Sequence, residues 1–199
     1  MKRRAAGFTL IELMVTVVVL AVLATVAVVS YTKYAQRART QEAINFLNEI
    51  KLKQETYYGT YQQYVSAGQL NDTSTWYPPG NLTTTDYLAW DIDCTNTGGD
   101  AIKDAWCSLG VRPMFQACPS GTTSASGHCT QHQFVTEGSS PTKTTPTVNT
   151  FEGSTVIRNT NADWWFAVAR GDLDHDGTYS AWFLSSETPE VYNRVPDEL

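Results

Sequence analysis

No proline occurs before Pro78, and between Phe8 and that proline the only glycines are Gly59 and Gly68. Nothing in that span forces a helix to break, so one helix is expected from about Phe8 to Tyr58, roughly 75 Å at the standard rise. Charge is missing as well: from Phe8 to Val29 the sole ionisable side chain is Glu12. The run outlasts the core of an ordinary secretory signal, about 7–15 residues, and matches the ~20 residues that cross a bilayer. Basic residues are few, 14 Lys and Arg against 20 Asp and Glu. That balance argues against nucleic-acid binding through phosphate contacts, which needs clustered cations. There is no Gly-rich phosphate loop after a strand, no G-x-S-x-G and no H-E-x-x-H. The three histidines, His128, His132 and His175, stand in no nucleophile–base setting. No catalytic activity is expected.

What is present starts with the carboxylate in the apolar run. At the centre of a membrane helix an ionisable group costs roughly 2.5–3.5 kcal/mol, less near an end, and such groups are functional candidates with a partner to be named. A plain anchor with Lys2, Arg3 and Arg4 on its inner side explains the length and the arginines but leaves Glu12 without a purpose. The stretch "G-FTLIEL" behind a short basic leader resembles the class III signal of type IV pilins and pseudopilins, and the resemblance covers the leader and the whole first helix. It implies that a prepilin peptidase cuts between Gly7 and Phe8 and that the new Phe8 amine is methylated. Glu12, fifth after the cut, would then neutralise that amine on a neighbouring subunit. A carboxylate and an ammonium that are each costly to bury alone become a register device when paired.

The resemblance also implies partners and a place. The monomer would sit in the inner membrane with its head in the periplasm. It would meet the prepilin peptidase and the pilus assembly machinery, and then join identical or related pilin subunits in a surface pilus or periplasmic filament. Leader removal takes away three of the 14 basic residues and leaves all 20 acidic ones, a formal charge of −9. Many major pilins carry helix breakers at the fourteenth and twenty-second mature positions, here Ala21 and Val29. Their absence keeps open a minor pilin or a type II secretion-type pseudopilin. A membrane-anchored binding module that never polymerises, such as a calcium-dependent adhesin, and an anchored periplasmic enzyme are the readings from other classes.

The expected fold is α+β: a long N-terminal helix packed on an antiparallel β-sheet head, the pilin fold. Its expected segments are a leader at 1–7, a transmembrane or filament-core helix at 8–30, an amphipathic continuation at 31–60 and a β-rich head at 61–199. Ile44, Leu47, Ile50, Tyr57 and Tyr61 recur at helical spacing and form one packing stripe, with Gly59 as stop signal. Tyr31 and Tyr34 lie where aromatic side chains favour a membrane interface. Residues 66–85 read as a loop turning at "YPPGN". Strands are expected at Tyr87–Asp93, Ala105–Val111, Gln131–Thr136, Ser154–Arg158, Trp164–Ala169 and Thr178–Ser185. The stretch 136–150 is too polar for a core and reads as an exposed loop.

Cys94, Cys107, Cys118 and Cys129 are even in number and follow the membrane segment, which suggests two disulfides in an oxidising compartment. Three pairings are possible, and short loops favour the sequential one, Cys94–Cys107 with Cys118–Cys129. "HCTQH" offers a zinc alternative through His128, Cys129 and His132, although no C-x-x-C accompanies it. "DLDHDG" places Asp172, Asp174 and Asp176 before Gly177, the front half of an EF-hand-type loop. Its twelfth position is Phe183 instead of a bidentate Glu, so an EF-hand is excluded. A structural Ca²⁺ locking a hairpin remains, against a polar turn whose carboxylates cap backbone N–H groups. Trp164 and Trp165 fit core packing better than a carbohydrate platform.

Overall fold

The computed structural model describes residues 8–83, 87–95, 98–122, 124, 127–139, 146, 150–151, 154–174 and 176–195. Two compact units divide between Ala38 and Arg39. The long helix α1 (Leu10–Tyr61) supplies all the regular structure of the first unit and continues into the second.

In the first unit, Leu10–Val28 has a mean hydropathy of 2.7 and no part of it is buried. β-branched and leucine side chains point outward on every face, as a helix surrounded by apolar neighbours requires. Its few hydroxyls are satisfied within the helix. Thr16 Oγ1 donates to Leu13 O at 2.9 Å, Thr25 Oγ1 to Val22 O at 2.7 Å and Ser30 Oγ to Val26 O at 3.0 Å. Such back-bonding satisfies a hydroxyl where a helix meets no water.

The second unit opens with the remainder of α1 and continues through β1 (Leu88–Ala89), α2 (Ala101–Leu109), β2 (Gln116–Ala117), β3 (His128–Thr130), β4 (His132–Gly138), β5 (Thr150–Phe151), β6 (Ser154–Thr155), β7 (Trp165–Gly171), β8 (Ser180–Ser185) and β9 (Tyr192–Val195). The main sheet is antiparallel in the order β4-β7-β8-β9, with a small β1-β3-β2 sheet and a β5-β6 pair beside it. Alternation along β7 and β8 divides the core. Trp165, Ala167, Ala169, Trp182 and Leu184 join the cluster built on Ala43, Phe46, Leu47 and Ile50 of α1. Phe166, Val168 and Phe183 belong to a second cluster with Leu70, Trp76, Val156, Ile157 and Trp164. Both faces of this sheet are covered along β4, β7 and β8, which is why these three strands are buried almost without interruption.

The free edge of β4 is also covered. Ala67 exchanges backbone hydrogen bonds with Thr136, and Tyr77 with Phe134. Fully buried Gln54 locks the helix onto this region: its Nε2 donates to Val65 O at 2.7 Å and Thr136 Oγ1 at 3.0 Å, and its Oε1 accepts from Val65 N–H at 3.0 Å.

Several expectations change. The packing stripe is Ala43, Phe46, Leu47, Ile50 and Gln54, while Tyr61 is 60% exposed. Gly59 does not end the helix. The chain leaves it after Tyr61, at Gln62, whose φ of 55° and N–H bond to Tyr58 O at 2.9 Å make the stop. The expected strand Ala105–Val111 is instead most of α2. Asp100 caps its start by accepting from Ile102 N–H at 2.9 Å and Lys103 N–H at 3.3 Å, and Gly110 closes its end at φ 71°. Thr136, Glu137 and Gly138, read as the start of an exposed loop, are buried in β4, because the polar run is paired to β7 and covered by residues 64–67. The strands expected at Tyr87–Asp93 and Ser154–Arg158 shrink to the two-residue β1 and β6. Residues 140–145 and 147–149 of the expected loop lie outside the described residues.

Candidate functional sites: the helix entrance and an acidic hairpin loop

Gly7 and the basic leader lie outside the described residues. The description begins at Phe8, 85% exposed. Glu12 is tied to the helix start. Its Oε2 accepts from Thr9 N–H at 3.4 Å and from Thr9 Oγ1 at 3.2 Å, and its own N–H donates to Thr9 Oγ1 at 3.4 Å. This is a capping box: the residue before the helix and the third residue within it satisfy one another's orphan groups. Thr9 is a site residue that motif reading passed over, although T-x-x-E ahead of an apolar run is its sequence signature. The contacts are long for hydrogen bonds, so they hold the carboxylate loosely. A carboxylate at this end also meets the positive pole of the helix.

The acidic loop joins β7 to β8. One oxygen each of Asp172, Asp174 and Asp176 lies within 4.8 Å of the others, with Asp172 buried and the other two exposed. Part of the carboxylate capacity goes to the turn. Asp172 Oδ2 accepts from Gly177 N–H at 3.1 Å, Asp174 Oδ1 from Asp176 N–H at 3.3 Å and Asp176 Oδ1 from Thr178 N–H at 2.6 Å. Gly177 takes φ 89°, a value favouring glycine. Asp172 Oδ1 is different: it is buried and has no hydrogen-bond partner. An orphaned, buried carboxylate oxygen beside two more carboxylates fits a hard cation that prefers oxygen ligands. His175 of this loop lies outside the described residues, and Phe183, the would-be twelfth ligand, is core in β8.

The cysteines form Cys94–Cys107 and Cys118–Cys129. The zinc alternative is overturned, because Cys129 has no thiolate to give. Of its neighbours, His128 Nδ1 lies 3.2 Å from Phe115 O, while both ring nitrogens of fully buried His132 have no hydrogen-bond partner, with Glu42 Oε1 of α1 3.9 Å from Nδ1. Trp164 and Trp165 are buried in the two core clusters, and Trp165 Nε1–H donates to Glu55 Oε1 at 2.7 Å.

Residues 2–28 match the family model of the prokaryotic N-terminal methylation motif, the class III prepilin signal of type IV pilins and pseudopilins. The match covers the leader and the apolar part of α1. It fits membrane anchoring of this helix before assembly. Neither a search of curated proteins nor a search of solved structures returns a match.

Proposed function

We propose that the protein is a filament subunit of the type IV pilin or pseudopilin kind, held in the inner membrane by α1 until leader removal and then polymerised through it. The observation that carries this reading is the coincidence of the methylation motif at 2–28 with an apolar segment, Leu10–Val28, that the described residues leave uncovered. Lipid covers it in the monomer, and neighbouring helices would cover it in a filament. Hydrophobic burial cannot drive that exchange, since lipid is already apolar; helix packing and polar pairing must supply the preference. Cleavage after Gly7 would create an ammonium at Phe8, at the pole of the helix where positive charge is unfavourable. A carboxylate held only loosely by Thr9 is free to leave its own cap for a neighbour's amine.

N-terminal peptide mass spectrometry on native membranes and on sheared filaments tests this. A chain beginning at N-methyl-Phe8 in the filament fraction is expected. A chain still beginning at Met1 would leave a plain anchor. Abundance in that fraction then separates a shaft subunit from a minor component.

The unpartnered Asp172 Oδ1 supports a second reading, a structural Ca²⁺ held by Asp172, Asp174 and Asp176 that fixes the β7–β8 connection. Calcium is expected to raise the melting temperature of the protein, a chelator to reverse the rise, and Asp172→Asn to abolish it. Coincident melts with calcium and with chelator would leave the polar turn as the explanation.

A further inference from the structure

On the sheet face turned away from α1, Arg170 of β7 stands opposite Gln133 of β4. Gln133 is immobilised, because its Nε2 donates to Pro78 O at 2.9 Å and to Gly80 O at 3.1 Å. Its Oε1 in turn accepts from Arg170 Nε at 3.2 Å and Nη2 at 2.8 Å. Two aromatic rings complete the clamp: Arg170 Cζ lies 4.4 Å from the centre of the Trp76 ring and 5.1 Å from that of Tyr179. A guanidinium has five N–H donors, and Gln133 takes two of them. The remaining three include the end-on fork of Nη1 and Nη2, and no carboxylate among the described residues pairs with it.

This cation is half-buried, and burial pushes its pKa below the ordinary arginine value, opposed only by Tyr179. A fixed, partly desolvated charge with an open fork is a receptor geometry, since planar, two-oxygen anions match it at two points. A cavity of about 310 Å³ adjoins it, lined by Leu70, Asn71, Trp76, Phe151 and Tyr179 as well as Arg170. Trp76 is 3% exposed, and its indole Nε1–H finds no acceptor. The ionic group of this lining is thus a donor, and among the described residues no acid lines it. That volume stands at the lower end of small-molecule sites, about 300–1,000 Å³.

We propose that this cavity binds a small organic carboxylate with a ring-sized body. The carboxylate would lie on the Arg170 fork, above the Trp76 ring on which the guanidinium rests, and the body against Leu70 and Phe151. One guanidinium fits a monoanion with two coplanar oxygens. A phosphate dianion would ask for further cations, and the lining holds none among the described residues. This site is separate from the filament reading and does not depend on it.

The test uses the full chain in detergent micelles and two matched pairs of probes, benzoate with benzamide and D-glucuronate with D-glucose. Saturation-transfer NMR is expected to show that at least one acid binds tenfold or more tightly than its neutral match. The indole N–H resonance of Trp76, assigned by its loss in Trp76→Phe, should shift with that acid and not with its match. Arg170→Lys keeps the charge but loses the fork and the stacking, and it should weaken the acid at least tenfold. Should that variant not fold, the Trp76 resonance in the wild type still places the ligand. Equal binding of acid and neutral match, an acid that leaves the Trp76 resonance unmoved, affinity unchanged in a folded Arg170→Lys, or no binding of either acid at about 10 mM would each overturn the proposal. Preference between benzoate and glucuronate then tells an aromatic acid from a sugar acid.

Discussion

Gln54 holds three hydrogen bonds in the dry space between α1 and β4 and has no apolar substitute of equal effect. Gln54→Leu fills the volume but orphans Val65 N–H and C=O, so it should destabilise the second unit by about 2–3 kcal/mol in denaturant melts. Gly59 makes the opposite case. It lies inside the helix, its φ is not left-handed, and a Cβ built there meets nothing within 4 Å. Gly59→Ala should therefore stabilise by about 0.5–1 kcal/mol, read as a raised midpoint in the same melts. A lowered midpoint would overturn the reading of Gly59 as an ordinary helical position. At the helix entrance Thr9→Ala removes the cap while leaving the methylation motif's Glu12 in place. Helix stability should fall by about 1 kcal/mol. On the filament reading, the variant is still expected in the sheared-filament fraction, because the carboxylate that pairs between subunits is untouched.

Among the elements, α2 shows where the sequence could be read and where it could not. Its core is two residues, Trp106 and Leu109, at a spacing of three, while Ala105, Cys107, Leu109 and Val111 of "AWCSLGV" also recur at the period of a strand. The deciding signals were Asp100 before it and Gly110 after it, a start and a stop that outweigh a short apolar run. Asp100→Ala should cost about 1 kcal/mol and unravel the first turn of α2, seen as faster amide exchange there. The N-terminal half of α1 was legible because a long run without charge, proline or glycine has few alternative structures. β7 and β8 were legible because each holds a short unbroken apolar run, WFAVA and AWFL, the mark of a strand covered on both faces. β1, β2, β5 and β6, two residues each, carry no period for a sequence to reveal. The T-x-x-E cap was written in the sequence in full but was masked by the stronger family motif that overlaps it. The Arg170 cavity was not legible at all, since its lining comes from segments up to 111 positions apart that only the fold brings together.

For the molecule as a whole, stability should depend on pH at the alkaline end. Burial raises Tyr64 and Tyr77 to about 12 from an ordinary 10.0, with Asp91 N–H partly offsetting the rise at Tyr77. A raised folded value means that these phenols ionise first in the unfolded chain. Their contribution is whole below about pH 10 and is lost as pH climbs toward about 12, at up to ~1.4 kcal/mol per pH unit for a fully shielded group such as Tyr77. Melts across that range, followed by tyrosinate absorbance, should show steeper loss in the wild type than in Tyr77→Phe. The arrangement of the main sheet bears on life at high density. Backbone bonds from Ala67 and Tyr77 close one border of that sheet, and the other border is the four-residue β9. Exposed strand borders invite strands from other molecules, and the usual remedies are to cover them or to keep them short. On the filament reading, heads crowded around a shared axis would meet one another continually. With one border sealed and the other brief, they could be stacked at that density without zipping together sheet to sheet, and the choice of how copies join would fall to the helices.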